Sequence, residues 1–197
     1  MPRINHVKKA RKDQGTCGRC QKAIPSGAPY KFIEFRYGGR HVRCDNCSFR
    51  PSELTQSKLS QALSAQEDAE DAISSWDGED IEDLCSALDD AASGIRDCGQ
   101  EYRDSADTIN QTAEGSSVAA DCEEKADALE GWADEIESAK DNLEDWGGDE
   151  EPEEPEGDDA EAHTEWEEAH TEWEQAREEW AEAQREAALE ALDECPV

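Results

Sequence analysis

Cys17-Gly-Arg-Cys20 and Cys44-Asp-Asn-Cys47 form two C-x-x-C pairs separated by 23 residues. Each pair sets two thiolates on one tight turn, and two such turns brought together supply four soft ligands in the tetrahedral arrangement that zinc prefers. The spacing predicts one structural Zn2+ held by Cys17, Cys20, Cys44 and Cys47. His41 offers an alternative ligand, because His41-x-x-Cys44 is also a chelating pair and would leave Cys47 spare. The common spacing of the two cysteine pairs favours the all-cysteine set. A shell closed by four protein ligands has no open position for a substrate or an activated water. The chain also lacks a phosphate-binding glycine loop and a nucleophile elbow. A non-enzymatic protein is expected.

The segment between the pairs must bring them together. Tyr30-Lys-Phe-Ile-Glu-Phe-Arg-Tyr37 is rich in aromatic and branched residues, Gly38-Gly39 supplies a turn, and Arg40-His-Val-Arg43 returns toward the second pair. That is the pattern of a β-hairpin, with Ile24-Pro25-Ser26-Gly27 as a preceding turn. A small β-rich module of the zinc-ribbon or treble-clef kind over residues 1–50 is expected. So short a segment buries little apolar area, so metal removal should unfold it.

Charge divides the chain. Residues 1–50 carry twelve Lys and Arg against Asp13, Glu34 and Asp45, a balance of +9, whereas the remainder holds seven bases against 49 acids, or −42. The positive segment is an electrostatic footprint for polyanions, and the negative remainder repels nucleic acid and favours basic protein surfaces. Arg3, Lys8, Lys9, Arg11, Lys12, Arg36, Arg40 and Arg43 are candidate nucleic-acid contacts, giving affinity without sequence reading. Tyr30, Phe32, Phe35 and Tyr37 would stack on unpaired bases if they faced outward, or form the hairpin's core if they did not. The same bases would equally serve to dock the module on the protein's own acidic helices.

After Pro51 the period changes to that of helices. Leu59, Ala62, Ala69, Ile73 and Trp76 recur at intervals of three or four, interrupted by Gln66, in a helix expected to begin at Ser52. Ile81, Leu84, Leu88, Ala91, Ile95, Cys98, Tyr102 and Ile109 form a second seam, and Val118, Cys122, Leu129, Trp132, Ile136, Ala139, Leu143 and Trp146 a third. Short breaks between them predict an acidic, all-α antiparallel three-helix bundle or coiled coil over 52–146. Cys85, Cys98 and Cys122 read as small apolar fillers, a use of cysteine that, with Cys195, fits a reducing compartment. Residues 147–159, GGDEEPEEPEGDD, have the composition of a disordered acidic linker.

Beyond it, residues 160–195 carry a seven-residue repeat that sets Trp166, Trp173 and Trp180 on one stripe of an amphipathic helix, with Ala169, Ala176 and Ala183 beside them. Such a stripe should dock on the bundle, on a second copy of the chain to give a homo-oligomer, or in a partner's groove. His163 and His170 lie two turns apart, too far for one-turn chelation, and read as flank residues. No run reaches the roughly 18 apolar residues of a membrane helix, and the opening fifteen residues lack the apolar core of a secretory signal. A soluble intracellular protein without a membrane partner is expected.

The stretches PRINHVKKARKDQGTCGRC, KFIEFRYGGRHVRC and PSELTQS resemble a group of bacteriophage-encoded proteins that begin with a four-cysteine zinc module and continue into acidic helices. The likeness covers about the first 60 residues and implies a phage origin, hence the cytoplasm of a bacterial host, but no activity. Cys17, Cys20, His41 and Cys44 are also similar to the zinc fingers of poly(ADP-ribose) polymerases, which would imply binding to DNA breaks; Cys47 and the shorter intervening segment depart from that pattern. Three functions follow. The first is a zinc-binding adaptor whose basic module contacts nucleic acid or an acidic surface while the acidic helices recruit a basic partner. The second is a nucleic-acid mimic that occupies a host enzyme's nucleic-acid channel. The third is an oligomeric coiled-coil scaffold.

Overall fold

A computed structural model describes residues 2–36, 38–155, 160–193 and 195–196. The chain forms two compact units, residues 1–67 and 68–197. The elements in order are β1 (Asn5–Val7), β2 (Tyr30–Phe35), β3 (Gly39–Cys44), a 3-10 turn (Pro51–Leu54), α1 (Leu59–Ser75), α2 (Ile81–Thr112), α3 (Ser117–Asp141) and α4 (Ala160–Glu190).

In the first unit the expected hairpin is present and β1 adds a third antiparallel strand, in the order β1-β2-β3. Tyr30 pairs with Cys44, Phe32 with Val42 and Ile33 with His41, while Val7 of β1 lies opposite Tyr30. Alternation along a strand then separates the faces. Val7, Tyr30, Phe32, Val42 and Cys44 share one face; Ile33, Phe35, His41 and Arg43 share the other. The first face packs with Ala10, Cys17 and Ile24 into a small apolar core. Gly39, at φ +83°, takes the left-handed backbone conformation at the start of β3 that a side chain would resist.

Residues 10–28 form a second, irregular ribbon. Ala10 N–H donates to Ala28 O at 2.9 Å and Gly27 N–H to Ala10 O at 2.7 Å, Gln14 N–H reaches Ile24 O at 3.0 Å, and Cys17 N–H reaches Lys22 O at 2.8 Å. The first cysteine pair sits at its tip.

The α-helix does not begin at Ser52, as the sequence pattern suggested: Pro51–Leu54 is a 3-10 turn and α1 starts at Leu59. Ser52 instead donates through its N–H (2.9 Å) and its hydroxyl (2.6 Å) to the buried Glu67 carboxylate, which also faces Arg50 at 3.9 Å. These bonds tie the turn to α1 as far as Glu67, so the first unit extends past the charge boundary at residue 50.

The second unit is dominated by the antiparallel pairing of α2 with α3. Asp80 caps α2 by accepting from Glu82 N–H, and Ser116 caps α3 by accepting from Val118 N–H. Leu84, Leu88, Ala91, Ile95 and Cys98 of the second seam are buried against Leu129, Trp132 and Ile136 of the third, with Ala119, Ala126 and Ala133 filling the narrow places. Val118, assigned to the seam by phase, is 57% exposed, because Ala119 takes the inward position. α3 ends at Asp141, leaving Leu143 and Trp146 outside it. α1 makes no comparable pairing with α2 or α3, and α4 meets both over short stretches. The expected three-helix stack is therefore a helical hairpin with α4 added.

All six tryptophans donate their indole N–H to a main-chain carbonyl. Trp76 reaches Asp80 (2.8 Å), Trp132 Ala191 (3.3 Å), Trp146 Asp149 (3.3 Å), Trp166 Pro152 (3.0 Å), Trp173 Asp149 (2.9 Å) and Trp180 Glu144 (3.1 Å). The heptad stripe is thus half-buried under the chain's own segment 144–152, which runs antiparallel to α4. Over its described residues, 147–155, the expected loose linker supplies acceptors to this ladder; residues 156–159 lie outside the described ones. Ala169, Ala176 and Ala183 are exposed, and Ala181, Ala188 and Leu192 are buried in their place. His170 stacks between Trp166 and Trp173, at 5.0 and 5.9 Å between ring centres, with Glu151 Oε1 3.2 Å away.

Candidate metal centre

Cys17 and Cys20 sit on a knuckle at the tip of the 10–28 ribbon. Gln21, with φ 57°, turns into the left-handed region so that its N–H can donate to Cys17 O at 3.0 Å and close the turn. Cys44 ends β3 and Cys47 follows on a second turn, where Cys47 N–H donates to Cys44 O at 3.1 Å. Gly18 N–H bonds to Val42 O at 3.1 Å and docks one knuckle onto the strand that leads to the other.

This arrangement brings all four sulfurs within 4.8 Å of one another, and Cys20 Sγ lies 3.7 Å from Cys44 Sγ. A regular tetrahedron with metal–sulfur bonds of about 2.3 Å has sulfur–sulfur edges of about 3.8 Å. The four cysteines therefore fit a tetrahedral metal ion without rearrangement of the fold. His41 is not in this set. It is an odd number of positions from Cys44 on β3, so it faces the opposite side of the sheet, where its ring meets Phe35 edge-on at 5.7 Å.

The thiols differ in their pull on a proton. Burial works against a Cys17 thiolate, but the N–H groups of Cys20, Cys44 and Arg19 outweigh it and bring its pKa down to about 6. Cys47 is pushed up to about 12, first by its hydrogen bond to the Cys44 sulfur, then by burial and by the Cys20 and Cys17 sulfurs. Four sulfurs so close cannot all carry charge unless a cation stands among them. A divalent ion converts this mutual repulsion into coordination, and binding it releases protons.

Arg43, assigned by sequence to the nucleic-acid surface, is 6% exposed and serves the module's interior. Its guanidinium abuts Gly18 of the knuckle, pairs with Glu53, donates to Val42 O at 3.0 Å, and lies over the Phe49 ring at 5.1 Å. Any side chain at position 18 would displace it. Arg40 also has structural work: it lies 3.8 Å over the Phe32 ring and donates to the Tyr30 hydroxyl at 2.7 Å. Arg3, Lys8, Lys9, Arg11, Lys12 and Arg36 are exposed, as expected of surface contacts. Two further exposed bases flank the cluster, Arg19 within the first C-x-x-C turn and Lys22 two residues after it, and their adjacency to that cysteine pair is the signal the sequence offers for them.

Cys85, Cys98, Cys122 and Cys195 are not part of the cluster. Cys98 is fully buried in the α2 seam, and burial raises the pKa of Cys85. No helix among the described residues is long and apolar enough to cross a membrane. Comparison with protein families, curated proteins and solved structures finds no match.

Proposed function

We propose that the protein is a zinc-binding, non-enzymatic adaptor. Its first unit is a zinc-folded module whose basic surface engages a polyanion, and its second an acidic helical arm that recruits a basic protein. The observation that carries this reading is the four-sulfur cluster, whose spacing suits a tetrahedral thiolate-bound ion. Zinc is the assignment because four thiolates with no open position form a structural site, and because the module's apolar core is too small to hold the sheet and ribbon together alone.

A second reading, the nucleic-acid mimic, is favoured by a different observation. In residues 68–197 all six bases are engaged within the unit. Arg96 pairs with Asp134 and Glu137, Arg103 with Asp127 and Glu130, Lys125 with Asp121, and Lys140 with Asp89. Arg177 and Arg185 cap the main-chain carbonyls of Gly78 and Trp76. The remaining carboxylates line a hairpin about 48 Å long, from 32 residues of α2.

Gel shifts with the zinc-loaded chain, before and after chelation, separate the two readings. The adaptor shifts nucleic acid at low salt and loses the shift with the metal. The mimic leaves nucleic acid unshifted but displaces it from a nucleic-acid-binding enzyme, an effect that neutralised carboxylates on α2 and α3 would weaken.

A further inference from the structure

We infer that the ribbon bearing the first zinc knuckle is a binding surface for the sugar-phosphate backbone of a nucleic-acid duplex, read without base sequence; this rests on the adaptor reading above. The surface is made by Lys8, Lys9, Arg11 and Lys12 on one arm, with Arg19 at the tip and Lys22 on the return. Ala10 is 3% exposed and hydrogen-bonded on both its N–H and C=O, so the four bases flanking it project from a fixed backbone. Among the described residues none of the six is ion-paired. Asp13, the one acid before Glu34, accepts Ser26 N–H at 2.6 Å.

What the surface lacks selects its partner. Single-strand binders need exposed aromatic faces on which bases stack. Here Tyr30 is buried, Phe32 is covered by Arg40, Phe35 meets His41 edge-on, and Phe49 lies under Arg43. Tyr37 lies outside the described residues. Protein interfaces need a desolvated apolar anchor. On this ribbon Ala10 and Ile24 point inward and no large apolar side chain is exposed. Charge without stacking or apolar anchorage suits the regular, dense phosphates of a duplex.

Fluorescence anisotropy of the full-length, zinc-loaded chain tests this with mixed-sequence duplex DNA and with oligothymidylate of equal phosphate number. Salt is varied from about 50 to about 200 mM, across which phosphate contacts weaken steeply. The acidic unit repels both probes, so their ratio is the readout. Duplex should bind about tenfold tighter, and two unrelated duplexes should bind alike. The triple variant Lys8→Gln, Lys9→Gln, Lys12→Gln should lower the log–log salt slope by about 2 to 3 with zinc content unchanged. Tyr37→Ala should leave duplex affinity as it was. Tighter binding of the single strand, or loss of affinity in Tyr37→Ala, overturns the duplex assignment while leaving the adaptor standing. Salt-sensitive self-association in place of DNA binding assigns the surface to a second copy and overturns the inference. Zinc-loaded protein that binds neither probe at low salt removes the nucleic-acid arm of the adaptor itself.

Discussion

The two units put their bases to opposite uses. In residues 68–197 Arg96, Arg103 and Lys140 brace α2 to α3, Lys125 pairs with Asp121 one turn away on α3, and Arg177 and Arg185 cap carbonyls, which leaves most of the carboxylates without a base from their own unit. In the first unit Arg43 is spent inside, but the bases of the 8–22 ribbon have no ion-pair partner among the described residues. Scarce charge of one sign becomes structure, and abundant charge of the other becomes surface. Abundant like charge destabilises a fold by self-repulsion. Each unit therefore needs a source of stability that charge does not supply. The helical unit has its apolar seams, and the module has its four sulfurs.

The sharpest way to break that contrast is to remove the metal. Chelation, or Cys44→Ser, should abolish the sheet and ribbon of the first unit, since structural zinc contributes on the order of 10 kcal/mol to such domains. Helical circular dichroism from α2 and α3 should survive. Acidification should release the metal too, because the ligands bind as thiolates. Next in size is the reverse experiment. Leu129→Ala opens a cavity in the fully buried α2–α3 seam and should cost about 3 kcal/mol in urea unfolding of the helices, with zinc still bound.

Arg43→Gln separates inner from outer bases within the module. Loss of its pairing with the partly buried Glu53 should cost about 2 kcal/mol, seen as weaker zinc retention against a competing chelator. Lys9→Gln should leave retention unchanged.

The smallest effect is a pH dependence. The Arg96 side chain, through hydrogen bonds, holds Glu137 below the ordinary carboxylate range. A lowered folded-state pKa contributes stability above the unfolded value and loses it as pH falls through the folded one. The melting-temperature gap between wild type and Glu137→Gln should therefore be widest at neutral pH, close in acid, and narrow with salt.

Much of the fold and of the cysteine cluster is legible in the sequence. Two C-x-x-C pairs and a β-patterned interval suffice to specify the four-cysteine cluster, because chelate spacing is local and the hairpin joining the pairs has its own period. Leu84, Leu88, Ile95, Leu129 and Ile136 were likewise announced by phase. Three things were not. β1 is three residues, Asn5–Val7, too short to show alternation. Arg43 reads like any exposed base until β3's register turns it toward Glu53 and the knuckle. The tryptophan ladder's acceptors are main-chain carbonyls of 144–152, and a carbonyl leaves no mark in a sequence. The sequence pattern reads as a disordered linker beside a stripe that docks on the bundle, a second copy or a partner, whereas segment 144–152 itself supplies the acceptors for Trp166, Trp173 and Trp180.

The most direct test of the proposal that a metal folds the module is native mass spectrometry of the full chain purified without added metal, alongside Cys44→Ser. One zinc per chain is expected in the wild type and none in the variant. A metal-free wild type whose module remains folded, or a mass short by the hydrogens of two disulfides, would contradict it.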